Sequence, residues 1–389
     1  MNSLPKIIIS GFSMTALGIA RCLSGFGYDI ISIGKKSLAY KIPFYFSNIP
    51  KKRIVIPPQK TIVEGLLDIR NIFDDNPILL LSEDIHALEV SENRDLIDKY
   101  YTFILPEKNI VDKLLDKRKF TELAIEKKIN IPKTLIVKNK EELDNIIDEL
   151  TFPFLLKPYM MHSCKIRCKN EYINYTESFS PLNWRSVIVQ EWIPGNDASI
   201  YFCFVFFNRE IEPIASLTAQ KIRQWPPQDG TTSLCKTIEN KQVLDETIRI
   251  FKMLGLSGFG SMEYKFNSQD GKYYIMEPTI GRYNQQIAIS KEAGVNLPNI
   301  AVSYLRRKKI PEFKQRNNVW WIHEVNDYLS QRHPRQSNKN GYLRHLFKSD
   351  TNVLYSKKDI MPILVTVGSE LIEAAKQKAK IKELMGFNC

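Results

Sequence analysis

The stretch "FGSMEYKFNSQDGKYYIMEP" (259–278) restricts what this chain can fold into more than any other. Two short apolar–aromatic runs flank the turn-forming "NSQDG", which is the pattern of a β-hairpin. Each run carries one glutamate, Glu263 and Glu277. A loop centred near Asp270 sets the two opposite each other and, by strand alternation, on one face. Opposed carboxylates repel. A shared divalent cation is the simplest reason to keep them, and their hard oxygens suit Mg2+.

The rest of the chain reads as an α/β protein. Residues 6–34 follow the order strand ("KIIIS"), Gly turn, helix, strand ("DIISIG"), a βαβ start. Its turn, "GFSMTALG", lacks the G-x-G-x-x-G spacing of a dinucleotide fingerprint. A further strand, "NPILLLSE", ends in Glu83 and Asp84, a position open to ligand binding or to capping of the next helix. The first domain is expected to close near Pro106. Helical periodicity follows over 109–128, with Asp116 as a cap between two pieces. "FPFLLKP" and "SVIVQEWIPGND" read as apolar strands, "ASIYFCFVFFNREIEPIASLTAQK" as paired strands, and "KQVLDETIRIFKMLG" as a helix.

Taken singly these features are ordinary. Together, and in this order, they supply what a nucleotide triphosphate needs. Lys117, Lys157 and Lys221 are cations for phosphates. "VIVQEWI" offers strand backbone and a side-chain amide in an apolar setting, as a flat base requires. Asp197, just past a Pro-Gly turn, is a candidate acceptor for ribose hydroxyls. Glu263 and Glu277 are candidate metal ligands.

The motifs "LDKRKF" (115–120), "FPFLLKP", "VIVQEWIPGND" and "FGSMEYKF…YYIMEP" resemble those of the ATP-grasp superfamily, specifically its carboxylate–amine ligases. The resemblance covers most of residues 1–300 and extends to D-aspartate ligase-like proteins. It implies an ATP-grasp fold with an N-terminal Rossmann-like domain (1–108) and an ATP-grasp domain (109–300) whose small α+β lid spans about 120–190. A C-terminal helical, basic extension (301–389) completes the expected organisation. By the same resemblance Lys117 and Lys157 hold the α- and β-phosphates, and Gln190, Glu191 and Ile193 line the adenine site. Asp197 meets the ribose, and Glu263 and Glu277 bind Mg2+, for which Mn2+ can substitute. "TAQKIRQWPPQDGTTS" (218–233) places Lys221 and Arg223 near the γ-phosphate under a mobile flap. Arg282 is expected to hold the carboxylate or the tetrahedral oxyanion, with a surface ion pair as the other reading.

Two departures stand out. "EPT" puts Thr279 where these ligases usually carry Asn, which leaves one or two metal ions open. The loop after Lys157, "YMMHSCKIRCKN", is not glycine-rich, so His162, Lys165 and Arg167 are expected to supply charge in place of amide contacts. His162 with Cys164 and Cys168 also invites a zinc reading, but no second Cys or His cluster completes a tetrahedral site. "EPTIGRYNQ" resembles a subgroup of ligases associated with bacterial surface polysaccharides.

The implied reaction is ATP-dependent amide formation through an acyl phosphate, on a cell-envelope precursor or on free amino acids or dipeptides. The net charge of +12 favours acidic small molecules, with nucleic acid or an anionic lipid surface as other takers. The sequence carries no recognised nucleic-acid motif, so no nucleic-acid partner is expected. A Rossmann oxidoreductase would leave the glutamate hairpin unexplained, whereas a nucleotide-binding but inactive relative would not. The apolar run "SIYFCFVFF" is too short to span a bilayer, leaving only peripheral membrane contact. Six scattered cysteines and an interrupted N-terminal apolar stretch fit a cytoplasmic location.

Overall fold

The computed structural model describes residues 4–38, 41–73, 75–158, 163–339 and 341–372. Four parallel strands, β1 (Lys6–Ser10), β2 (Asp29–Gly34), β3 (Lys52–Val55) and β4 (Ile78–Leu80), form the first sheet in the order β3-β2-β1-β4. "KIIIS" is apolar on both faces because helices cover both, as a parallel sheet requires. Gly11 ends β1 with φ +83°, and a Cβ there would meet Glu83 Oε1 at 2.5 Å. The turn into helix Met14–Leu23 therefore needs glycine for both its dihedral and its space.

A second sheet has the order β5-β8-β6-β7, all antiparallel: β5 (Thr134–Val137), β6 (Phe154–Lys157), β7 (Cys164–Ile166) and β8 (Val187–Glu191). Val137, Leu143, Phe154, Leu156, Ile166, Tyr172, Val187 and Val189 give it a small core of its own. This is the lid. Helix Lys117–Glu126, capped by Asp116 as expected, sends Phe120 and Ala124 into the core of the main body instead.

The third sheet holds seven strands in the order β13-β12-β9-β10-β11-β14-β15. These are β9 (Ile200–Phe207), β10 (Pro213–Trp225), β11 (Thr231–Thr237), β12 (Gly258–Asn267), β13 (Lys272–Ile280), β14 (Trp320–Ile322) and β15 (Thr351–Asn352). The near-continuous apolar run of β9 is explained by its central place, with a core on each face. Helix Lys241–Leu254 packs on one face and stops at Gly255, which adopts the left-handed conformation.

The segment after 300, expected as a C-terminal extension, joins the central sheet: β14 pairs with β11 and β15 with β14. Glu83 sits at the N-cap of helix Asp84–Glu92, yet its side chain caps nothing. It lies against Gly11 and 3.8 Å from His86, and burial raises its pKa.

Candidate active site

The hairpin turn of β12 and β13 pairs Asn267 with Lys272 and Tyr264 with Ile275. Continued unchanged, that register would set Glu263 opposite Met276. A bulge shifts it by one residue, and Glu263 faces Glu277 directly. Bulges re-aim side chains at sites of this kind. Thr279, two residues along from Glu277, adds a hydroxyl to the same cleft.

Two clefts meet at this point. Lys157, Met276, Glu277, Thr279 and Arg282 line both. One is a slot walled by Leu114, Phe120, Ile131, Ile188 and Ile275, with Lys117 and Gln190 as its polar groups. The other, of about 330 Å³, is polar, and adds Lys221, Glu263, Lys265, Gln224, Thr232 and Asn284. An apolar slot, a belt of carboxylates and lysines, and a polar chamber thus follow one another.

Charge in the belt is unevenly balanced. Lys221 Nζ lies 2.7 Å from Glu263 Oε2, so this carboxylate already has a counter-ion. Lys157 has its pKa lowered to about 8 by burial, with Lys117 adding repulsion while Glu277 and Glu263 oppose the shift. A buried ammonium in that state gains from any incoming anion. Gln190 donates to Thr134 Oγ1 at 3.0 Å, and its Oε1 is buried with no hydrogen-bond partner among the described residues. An orphaned acceptor in an apolar slot calls for a donor such as the exocyclic amine of a base.

These features fit ATP and Mg2+. The slot is apolar, as a flat base requires, Lys117 and Lys157 are cations able to take phosphates, and Glu263, Glu277 and Thr279 offer oxygen donors of the kind Mg2+ takes. Among the described residues no group of three or more His, Cys, Asp or Glu side chains could hold a metal ion.

The other expected residues fare differently. Arg223 is not at the γ-phosphate. Its guanidinium is fully buried against Asp327, at 2.7 Å and 2.8 Å, behind the chamber. Asp197 does not await a ribose. It is 4% exposed, and both its oxygens are engaged by Gln224 N, Gln228 N and Gln336 Nε2. This carboxylate fastens the flap loop instead. Arg282 lines both clefts and is paired with Asp84 at 2.7 Å, the ion pair of one of its two sequence readings. Glu191 has an exposed side chain and Ile193 is buried, and neither lines the slot. Arg167 pairs with Glu171, and Lys165 bonds Gln228 at 3.2 Å. His162 lies outside the described residues.

Sequence reasoning missed Lys265 and Trp192. Lys265 is 4% exposed in the chamber, its ammonium 3.8 Å from the Trp192 ring centre, with Lys165 at 3.6 Å from the same ring. Burial lowers the pKa of Lys265 to about 8, and Lys165 lowers it further. The signal was present: Lys265 shares strand parity with Glu263.

Solved structures of low sequence identity share this architecture. An N5-carboxyaminoimidazole ribonucleotide synthetase bound to ADP superposes with a TM-score of 0.65 at 15% identity, over 85% of this chain and 86% of that one. The biotin carboxylase domain of the Hydrogenobacter thermophilus 2-oxoglutarate carboxylase, complexed with MgADP, gives 0.65 at 14% identity, over 82% and 74%. The chain has the ATP-grasp fold. Among curated sequences, the D-aspartate ligase of Enterococcus faecium (strain Aus0004) is 21% identical over 296 residues, 69% of each chain. The carbamoyl phosphate synthase large chain of Pyrococcus furiosus is 21% identical over 312 residues, 75% of this chain but 28% of that one. No protein-family model matches. The chain is thus similar in sequence to a D-aspartate ligase and to a carbamoyl phosphate synthase large chain, and it shares its fold with the two solved structures.

Proposed function

We propose that this protein joins a carboxylate to an amine at the expense of ATP. The carboxylate oxygen attacks the γ-phosphorus, the bond to the β-phosphate bridging oxygen breaks, and ADP leaves. A neutral amine then attacks the acyl carbon, the acyl–oxygen bond breaks, phosphate departs, and the amine's proton passes to solvent or base. The observation that carries this reading is the succession of slot, belt and chamber around the Glu263–Glu277 pair.

Mg2+ supplies charge neutralisation on the transferring phosphoryl group. The chain's own residues do the rest. Lys157 and Lys117 would anchor phosphates, and Lys221, held 2.7 Å from Glu263, would meet the charge developing at the γ-phosphate. Thr279 is a weaker ligand than an amide oxygen, so we assign one firmly held ion. The flap (225–231), fastened by Asp197, roofs the chamber and keeps water from the acyl phosphate.

For the substrates, the lysines of the chamber favour an acidic partner. The matched D-aspartate ligase supports an acidic amino acid as one of the two substrates. We assign the carboxylate to a cell-envelope precursor, handled on the cytoplasmic side where ATP is made; a free amino acid or dipeptide is the near alternative. Incubation with ATP, Mg2+ and hydroxylamine over a panel of carboxylates is expected to yield a hydroxamate with equimolar ADP. Silence across a broad panel, with nucleotide still bound, would favour a non-catalytic nucleotide-binding protein.

A further inference from the structure

Between Asp327 and Asp350 the chain carries five Lys or Arg residues, Arg332, Arg335, Lys339, Arg344 and Lys348, and no carboxylate. Helix Tyr342–Lys348 lies inside this run. Its inner side is fixed by rings: His345 stacks on Trp320 with centroids 4.5 Å apart, and Tyr342 meets Tyr328 edge-on at 5.5 Å. Its outer side carries Leu343 and Phe347, one helical turn apart, at 65% and 80% exposure. Arg344 and Lys348 flank them on that side, both exposed, and no described carboxylate pairs with either.

A charged helix without exposed apolar side chains is an ordinary solvated face. A large aromatic and a leucine projecting from a cationic, acid-free surface are a different arrangement. Such side chains gain free energy by entering the headgroup region of a bilayer, while cations beside them meet anionic lipid. Nucleic acid would use the charge and leave Leu343 without a partner. No described helix is long and apolar enough to cross a membrane, so contact of this kind is peripheral.

We propose that the segment formed by residues 328–339 and 341–348 docks the protein on an anionic lipid surface, with Leu343 and Phe347 inserted and Arg344 and Lys348 on lipid headgroups. The segment is also wired to the flap. Gln336 bonds Asp197, which holds Gln224 and Gln228, and Arg335 lies 4.0 Å from Asp229 of the same loop. Docking therefore brings the roof of the chamber close to the bilayer, where a lipid-borne substrate would be presented. The docking surface stands independently of the ligase reading, because neither its residues nor its test involve ATP.

The test is co-sedimentation of the full chain with vesicles of equal parts phosphatidylcholine and phosphatidylglycerol, and with phosphatidylcholine alone. Binding to the first and not the second is expected, together with loss on raising the salt. Phe347→Ser with Leu343→Ser, and separately Arg344→Glu with Lys348→Glu, should each weaken partitioning by about tenfold or more. All four positions are exposed, so melting temperature and nucleotide binding should stay unchanged. Equal sedimentation with both vesicle types overturns the proposal, as does wild-type binding by both double variants. Concentration-dependent self-association abolished by Phe347→Ser, with no vesicle binding, overturns it in favour of an interface between two copies.

Discussion

Arg223 and Asp327 meet in an ion pair that water does not reach, Nε to Oδ1 at 2.7 Å with both side chains fully buried. Arg223 lies on β10 beside the flap, and Asp327 on helix Glu324–Arg332 of the C-terminal segment. The pair ties the flap strand to the part of the chain that a sequence reading leaves without a purpose. Ser233 adds a hydroxyl to Asp327 at 3.2 Å.

Removing either partner strands a charge in the core. Arg223→Met or Asp327→Leu alone should cost about 3–5 kcal/mol, and the double variant should recover much of that loss. Denaturant melts of the two single variants and the double variant check this. Were Arg223 a γ-phosphate ligand instead, Arg223→Met would abolish nucleotide turnover while leaving the melt in place.

Glu277→Gln keeps the shape of the hairpin and removes one of the two facing charges. ADP release should fall by about a hundredfold or more, with the melting temperature held or raised because repulsion across the pair is relieved. Glu263→Gln should lose activity too and also free Lys221 from its 2.7 Å partner, so it should be the less stable of the two. Steady-state ADP assays beside thermal melts distinguish them.

Asp197 holds the backbone amide of Gln224 on β10, that of Gln228 in the flap, and one side chain of the C-terminal segment. Asp197→Ala should lower stability by about 2–4 kcal/mol and expose the loop 225–231 to protease. Nucleotide affinity, measured by calorimetry with MgADP, should change little. A large loss of MgADP affinity with an intact loop would restore Asp197 to the ribose.

Lys157 sets a pH dependence whose sign follows from its pKa of about 8, below the ordinary 10.5. Below about pH 8 it is charged in both folded and unfolded chain, and its buried charge destabilises the fold in full. Between about 8 and 10.5 the unfolded chain binds more protons, so stability rises with pH relative to Lys157→Met. Nucleotide phosphates favour the ammonium, so binding should take up a proton above about pH 8 and none near pH 6. Calorimetry in buffers of different ionisation enthalpy reads that proton directly.

Much of the site was legible because its signals are local. The alternation of β12 puts Glu263 and Lys265 on one face and Met262 and Tyr264 in the core, and the same rule applied to residue 265 would have found the second lysine. Asp116 before "KRKF", the Pro-Gly turn after "VIVQEWI", and Gly255 after an amphipathic helix are each decided by neighbours within four residues. Asp197 was misassigned because its partners lie 27 to 139 positions away, and a free-looking acid in a turn reads the same whether water, sugar or backbone satisfies it.

By itself, then, the sequence determined the order of strands and helices and the hairpin with its two acids, since propensity and side-chain period act over a few residues. The tertiary structure alone decided that a bulge at Met276, and not the turn, brings Glu263 opposite Glu277, that β14 and β15 finish the sheet, and that Arg223 belongs to Asp327. Those outcomes depend on which distant groups become neighbours when water is excluded, and no local pattern encodes that.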